Sequence, residues 1–150
     1  AAPMIMGPGG GVEALPETAD LGSRQAEDVA ASILFVFGDP GSLHNPNPVP
    51  TLRYVWSAAA DAPETVVNSP YFPGVIRSLA VRSGLPAARW VKERRNLRED
   101  YAKAFGEAPQ EPVRAFALYS DNDHNGEPVT AYYLDANALC SELPDTGLTF

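Results

Sequence analysis

The sequence predicts an all-β protein that carries one short α-helix at about residues 97–105, and three observations lead there. Apolar runs rich in β-branched and aromatic residues are short, and proline- and glycine-dense stretches separate them, with 15 prolines and 12 glycines in 150 residues. That punctuation suits many short strands better than long helices. Only one segment changes to helical spacing. No internal repeat or linker divides the chain between residues 27 and 140, so it is expected to fold as one domain.

The elements follow in order. Residues 1–26 open with AAPMIMGPGGG and lack periodicity, which predicts a tail or linker, because ordering such a segment is entropically expensive. Val29–Phe37 is apolar on both faces, as in a central strand covered on both sides. The stretch through Asn45-Pro-Asn-Pro-Val-Pro50 predicts a loop, since proline donates no ladder hydrogen bond. Thr51–Ser57 alternates, with Leu52, Tyr54 and Trp56 on one face and Arg53, Val55 and Ser57 on the other. Val75–Arg82 is a strand with Arg77 among its inward positions, and Ala88–Arg95 is a more polar one. Asn96-Leu-Arg-Glu99 is a capping box. Leu97, Tyr101, Ala104 and Phe105 then fall at helical spacing, Glu99 and Lys103 form an i,i+4 pair, and Gly106 supplies the stop. Val113–Ser120 and Pro128–Leu139 are the last strands. Residues 141–150 are expected to be a C-terminal tail, in which the match of Leu143-Pro-Asp-Thr-Gly147 to a sortase signal is expected to be coincidence, since the sequence given stops at Phe150.

Composition excludes several functions. A net charge of −8 argues against general nucleic-acid binding, since nothing would neutralise a row of phosphates. The lone Cys140 rules out an intrachain disulfide and any thiolate metal cluster, and two histidines, His44 and His124, are too few for a typical zinc site. No apolar run approaches the roughly 18 residues of a membrane span. Small residues at the start, Ala1-Ala2-Pro3, fit removal of a signal peptide and predict a periplasmic or extracellular protein. No Gly-x-Ser-x-Gly elbow surrounds any serine, and Glu93, Glu99 and Asp100 are explained by the helix start. The chain is therefore expected not to be an enzyme.

The most suggestive stretch is Ser120-Asp-Asn-Asp-His-Asn-Gly-Glu127, where Asp121, Asp123 and Asn125 alternate before Glu127. An EF-hand needs a bidentate Glu at its twelfth position; that position is Tyr132, so the EF-hand reading fails. Two accounts stay open. Asn125-Gly126 is a strong hairpin-turn signal, and the turn is the simpler reading. The alternative is a looser calcium site built from Asp121, Asp123, Asn125 and Glu127.

Seven collinear segments resemble a bacterial family catalogued as domain of unknown function 3047. They are Glu27–Phe37, Leu52–Trp56, Val66–Tyr71, Leu79–Gly84, Trp90–Tyr101, Phe105–Gly106 and Ser120–Glu127. The resemblance implies an exported, jelly-roll-like antiparallel β-sandwich, similar in outline to carbohydrate-binding modules, and it brings no established activity. Members usually carry strands upstream of the segment matching Glu27–Phe37. Their apparent absence predicts an open core edge, closed in one of three ways: the chain is a fragment, the tail folds back, or another chain or a second copy covers the gap.

Two functions follow as expectations. The first is a non-enzymatic accessory or structural subunit of a larger assembly. The alternative is a carbohydrate-binding module using Arg53, Tyr54, Trp56, Trp90 and Arg94 on a sheet face. Leu52, Tyr54 and Trp56 also have the spacing of ordinary core residues, so burial of Trp56 and Trp90 separates the two.

Overall fold

The computed structural model describes residues 2–6, 12–42, 44–58, 63–84, 91–131 and 133–136. Trp90 and the expected C-terminal tail, residues 141–150, lie outside them. The elements are β1 (Ala2–Met6), β2 (Val12–Ala14), β3 (Val29–Phe37), β4 (Gly41–Ser42), β5 (Asn45–Pro46) and β6 (Thr51–Ser57). They continue with β7 (Val66–Asn68), β8 (Ile76–Ser83), β9 (Val91–Arg95), α1 (Leu97–Phe105), β10 (Val113–Asp121), β11 (Thr130–Ala131) and β12 (Tyr133–Ala136). Among the described residues the protein is thus mostly β with one short helix, as its sequence predicts.

The main sheet has five strands in the order β10-β3-β6-β8-β7. It is mixed, which corrects the expectation of an antiparallel arrangement: β6 and β8 run parallel, while the other pairs are antiparallel. Parallel neighbours need a crossover connection. The chain between β6 and β8 provides it, and β7 within that connection takes the outer position. Two smaller ladders pair β1 with β9 and β12, and β2 with β11. The proline loop carries only the two-residue β4–β5 ladder. Gly41 is required there: its φ is 73°, and a Cβ would stand 2.5 Å from the Asn45 carbonyl oxygen.

Register assigns the faces. Phe35 pairs with Leu52 and Ile33 with Tyr54, which pairs in turn with Leu79. These residues form one apolar face, on which Leu97, Tyr101 and Ala104 of α1 pack together with Val12 and Leu15. The opposite face carries Val29, Val55 and Ala80, capped by Leu21. Burial on both faces is why every residue of β6 is buried, not just its apolar half. Arg53 is accommodated there by an ion pair with Glu27 and a 2.8 Å bond from Nε to Ser78 Oγ.

Residues 12–26 differ from the expected linker. Val12, Leu15, Ala19 and Leu21 are buried, and β2 pairs with β11. The glycine-dense opening hides a short run, Val12 to Leu21, whose apolar residues have no period of their own because they cover two different faces of the main sheet. Of the ways to close the core, folding back of this segment is present.

The helix forms where the capping signal lies. Asn96 Oδ1 accepts from the backbone N–H of Arg98 at 3.2 Å and of Glu99 at 3.4 Å, and Gly106 ends the helix at φ 83°. Arg77, awkward in sequence, donates to the Ala104 carbonyl in the last turn, where the helix dipole favours a cation, and lies over the Phe105 ring. Lys103 does not pair along the helix with Glu99; its Nζ reaches Glu64 Oε2 at 2.7 Å. Glu64 also grips Arg95 through both carboxylate oxygens, at 2.6 and 3.0 Å. Arg95 in turn bonds both oxygens of Asp100, and Asp100 accepts from Tyr54 Oη at 2.6 Å. This chain of partners ties α1 to β6 and β9. Burial foremost, then the Asp100 charge, raises the Tyr54 phenol far above its ordinary value.

Two outcomes test this account. If residues 12–26 are part of the core, Leu21→Ala destabilises the fold by about 2–5 kcal/mol, read by urea unfolding; a loose tail would leave the midpoint unchanged. The hydrogen bond from Arg95, aided by Lys103, lowers the Glu64 carboxyl from 4.5 to about 2. A lowered carboxylate contributes stability above its unfolded value that disappears as pH falls through its folded one. Unfolding titrations between pH 5 and about pH 2 should therefore show a loss of stability that Glu64→Gln makes shallower.

Candidate functional site

The turn after β10 does not stand free of the fold. Its backbone is held by Asp28, the residue before β3, whose side chain is fully buried. Asp28 Oδ2 accepts from Asn125 N–H at 2.8 Å, and Oδ1 accepts from His124 N–H at 3.1 Å. A buried carboxylate is stable only when its lone pairs are satisfied, and here the backbone of the turn satisfies them. Asp28 also faces His124 Nδ1 at 3.2 Å, and Asp123 Oδ1 faces the same nitrogen at 2.7 Å.

The other face of the His124 ring meets Tyr71. Tyr71 Oη donates its one hydrogen to the Arg24 carbonyl at 2.7 Å, so towards His124 Nε2 the phenol oxygen acts as acceptor. Both ring nitrogens thus face oxygen atoms. A metal ion suits the space between Nδ1 and the carboxylates. Asp28, Asp121, Asp123 and His124 offer ligand atoms that all lie within 4.8 Å of one another. Three carboxylates with one imidazole match manganese or zinc better than the all-oxygen shell of calcium.

This cluster forms one wall of a cleft of about 340 Å³. Tyr71 and Phe72 form another wall, and the buried Arg53–Glu27 pair lies at the base with Leu34 and Ile76. Tyr119 of β10 also lines the cleft, its hydroxyl donating to Asp121 Oδ2 at 2.8 Å. Burial, helped by the Asp121 bond, pushes the Tyr119 phenol up to about 12. Ser69 turns the chain here, its Oγ accepting from the N–H groups of Tyr71 and Phe72.

The residues singled out in sequence separate into groups. Arg53 lines the cleft, but Tyr54 and Trp56 are each only 2% exposed and belong to the core on the opposite face. Trp56 uses its ring N–H internally, donating to the Gly84 carbonyl at 2.7 Å. The aromatic platform is therefore not formed by these two rings, because the Leu52-Tyr54-Trp56 stripe faces α1. Arg94 lies on β9, which pairs with β1. Asp121 and Asp123 come together as the acidic spacing suggested. Asn125 instead contributes its backbone N–H to Asp28, and Glu127 turns away to Thr18, accepting from its hydroxyl at 2.9 Å. Sequence reading missed Asp28, Tyr71 and Phe72, and considered His124 only as one of two histidines too few for a zinc site. His124 stood inside the acidic stretch; Asp28 lies 96 residues from it, and no local spacing links the two.

The fold and the cleft define a β-rich protein with a mixed five-stranded sheet, one helix and a polar cleft at the end of β10. The chain belongs to the family described as protein of unknown function (DUF3047), whose model matches residues 11–137. That span begins beside β2 and takes in the segment that folds back. No curated protein and no solved structure matches the chain. Among the described residues, no helix is long and apolar enough to cross a membrane.

Removing the anchor tests its role. Asp28→Ala leaves buried N–H groups of the turn unmatched and should destabilise the fold by about 2–4 kcal/mol. Asp123→Asn, at an exposed carboxylate, should change it by less than about 0.5 kcal/mol. Equal effects in urea unfolding would remove Asp28 as the anchor.

Proposed function

We propose that this protein is a non-enzymatic binding module that takes a neutral carbohydrate in the cleft beside the acidic turn. The observation that carries the reading is that cleft's lining: Phe72 and Tyr71 are 59% and 41% exposed, beside the carboxylates of Asp121 and Asp123 and the guanidinium of Arg53. Aromatic faces stack against the apolar faces of sugar rings, and carboxylates accept from their hydroxyls. Glu27, Asp121 and Asp123 outnumber Arg53, which disfavours an anionic ligand.

We further assign the fold to the jelly-roll-like sandwiches, with β2–β11 as part of a second layer over the main sheet; burial of Val12 of β2 in the core beside main-sheet residues supports this. A second reading, a subunit completed by a neighbouring chain, is favoured by the edge of the main sheet. There β10 exposes Phe116 and Leu118.

Calorimetric titration with a panel of neutral and anionic oligosaccharides tests the carbohydrate reading. Neutral sugars should bind, and Phe72→Ala or Asp123→Asn should each weaken binding about five- to tenfold. Binding confined to anionic sugars, or insensitive to Phe72→Ala, rules it out.

A further inference from the structure

Three carboxylates meet one imidazole beside the cleft. Asp28 precedes β3, Asp121 ends β10, and Asp123 and His124 stand in the turn after it. Among the described residues no lysine or arginine forms an ion pair with any of the three carboxylates. Converging carboxylates repel one another, and the Asp28 side chain is fully buried. A cation among them removes a cost that the fold otherwise carries.

The spacing is that of a coordination sphere. Neighbouring ligands of an ion bound at about 2.1 Å stand about 3 Å apart. His124 Nδ1 lies 2.7 Å from Asp123 Oδ1 and 3.2 Å from Asp28 Oδ1. Backbone amides fix Asp28, whereas the Asp123 side chain is 75% exposed and can close on an ion.

Two observations outside the four ligands point the same way. The His124 ring is held from behind: Tyr71 Oη, whose hydrogen goes to the Arg24 carbonyl, meets Nε2 at 2.5 Å. Nδ1 is the nitrogen left for the carboxylates, and metal-bound histidines are oriented by such a partner on their other nitrogen. The second is Asn125, which follows His124 and bonds Asp28 through its backbone N–H. Its Nδ2 is a buried donor with no hydrogen-bond partner among the described residues. A buried donor left without a partner marks an oxygen that the protein does not itself supply, such as water carried by an ion.

We propose that Asp28, Asp121, Asp123 and His124 bind one divalent transition-metal ion, of the series from manganese to zinc, with water completing its shell. Carboxylates admit many divalent ions, and the imidazole favours transition metals over calcium. The ion ties the entry of β3 to a turn 96 residues away. This inference goes beyond the carbohydrate reading and does not rest on it. Sugar binding is measured separately in chelator, so failure of one leaves the other where it stands.

Calorimetric titration of tag-free Cys140→Ser protein, stripped with chelator, tests it with Mn2+, Zn2+ and Ca2+ in turn. One equivalent of Mn2+ or Zn2+ should bind, Zn2+ the more tightly, and both at least about tenfold more tightly than Ca2+. His124→Ala and Asp123→Asn should each weaken Mn2+ binding at least about tenfold, while His44→Ala, at the other histidine, leaves it unchanged. Urea unfolding without metal checks that each variant folds. The electron spin-echo spectrum of bound Mn2+ should show coupling to one nitrogen, which reads the imidazole without any substitution. A parent protein that binds neither Mn2+ nor Zn2+ overturns the proposal, as does binding that survives either substitution or lacks the nitrogen coupling. A preference for Ca2+ also overturns it, and would place the ion in the all-oxygen set of Asp121, Asp123, Asn125 and Glu127.

Discussion

A buried carboxylate organises one end of this molecule. Asp28 sits where the chain enters β3, fully enclosed, and a charge in that position is stable only if polar hydrogens surround it. The turn at residues 123–125 provides them, through the N–H groups of His124 and Asn125. The constraint works in both directions. The turn must adopt the conformation that points its amides at Asp28, and this sets His124 against Tyr71 and leaves Asp121 and Asp123 at the mouth of a cleft.

A second constraint acts at the centre of the main sheet. With β3 on one side and β8 on the other, β6 has no open edge, and both of its faces are covered. Each of its side chains must therefore find a partner inside the fold. The apolar face meets α1. On the other face Arg53 meets Glu27 and Ser78. Tyr54 extends the logic through its hydroxyl, which enters the chain Asp100–Arg95–Glu64–Lys103. One polar atom on a core residue thus connects the sheet, the helix and the crossover between β6 and β8. The cleft and this ion-pair chain lie on opposite faces, so ligand chemistry on one side is separated from structural chemistry on the other.

Much of the element order was legible, because the physics there is local. Val29–Phe37, Thr51–Ser57 and the helix after Asn96 have the bounds that side-chain alternation, capping and Gly106 require. Legibility failed where the cause was distant. The parallel pairing of β6 with β8 depends on how the crossover closes, which no strand records in its own sequence. Residues 12–26 read as a linker because their apolar residues answer to two separate faces. Tyr54 and Trp56 looked available as a platform, since alternation separates two faces but does not say which of them is covered.

The candidate site shows the same division. By itself the sequence determined that a cluster of acidic and amide side chains would form a turn after β10, because Asn125-Gly126 and the alternating oxygens act over a few bonds. It also determined the family, which is written across most of the chain. Tertiary structure alone decided that Asp28 would anchor that turn, that Glu127 would leave for Thr18, and that Tyr71 and Phe72 would line the cleft. The reason is distance along the chain: burial and charge compensation join residues that no local pattern can connect.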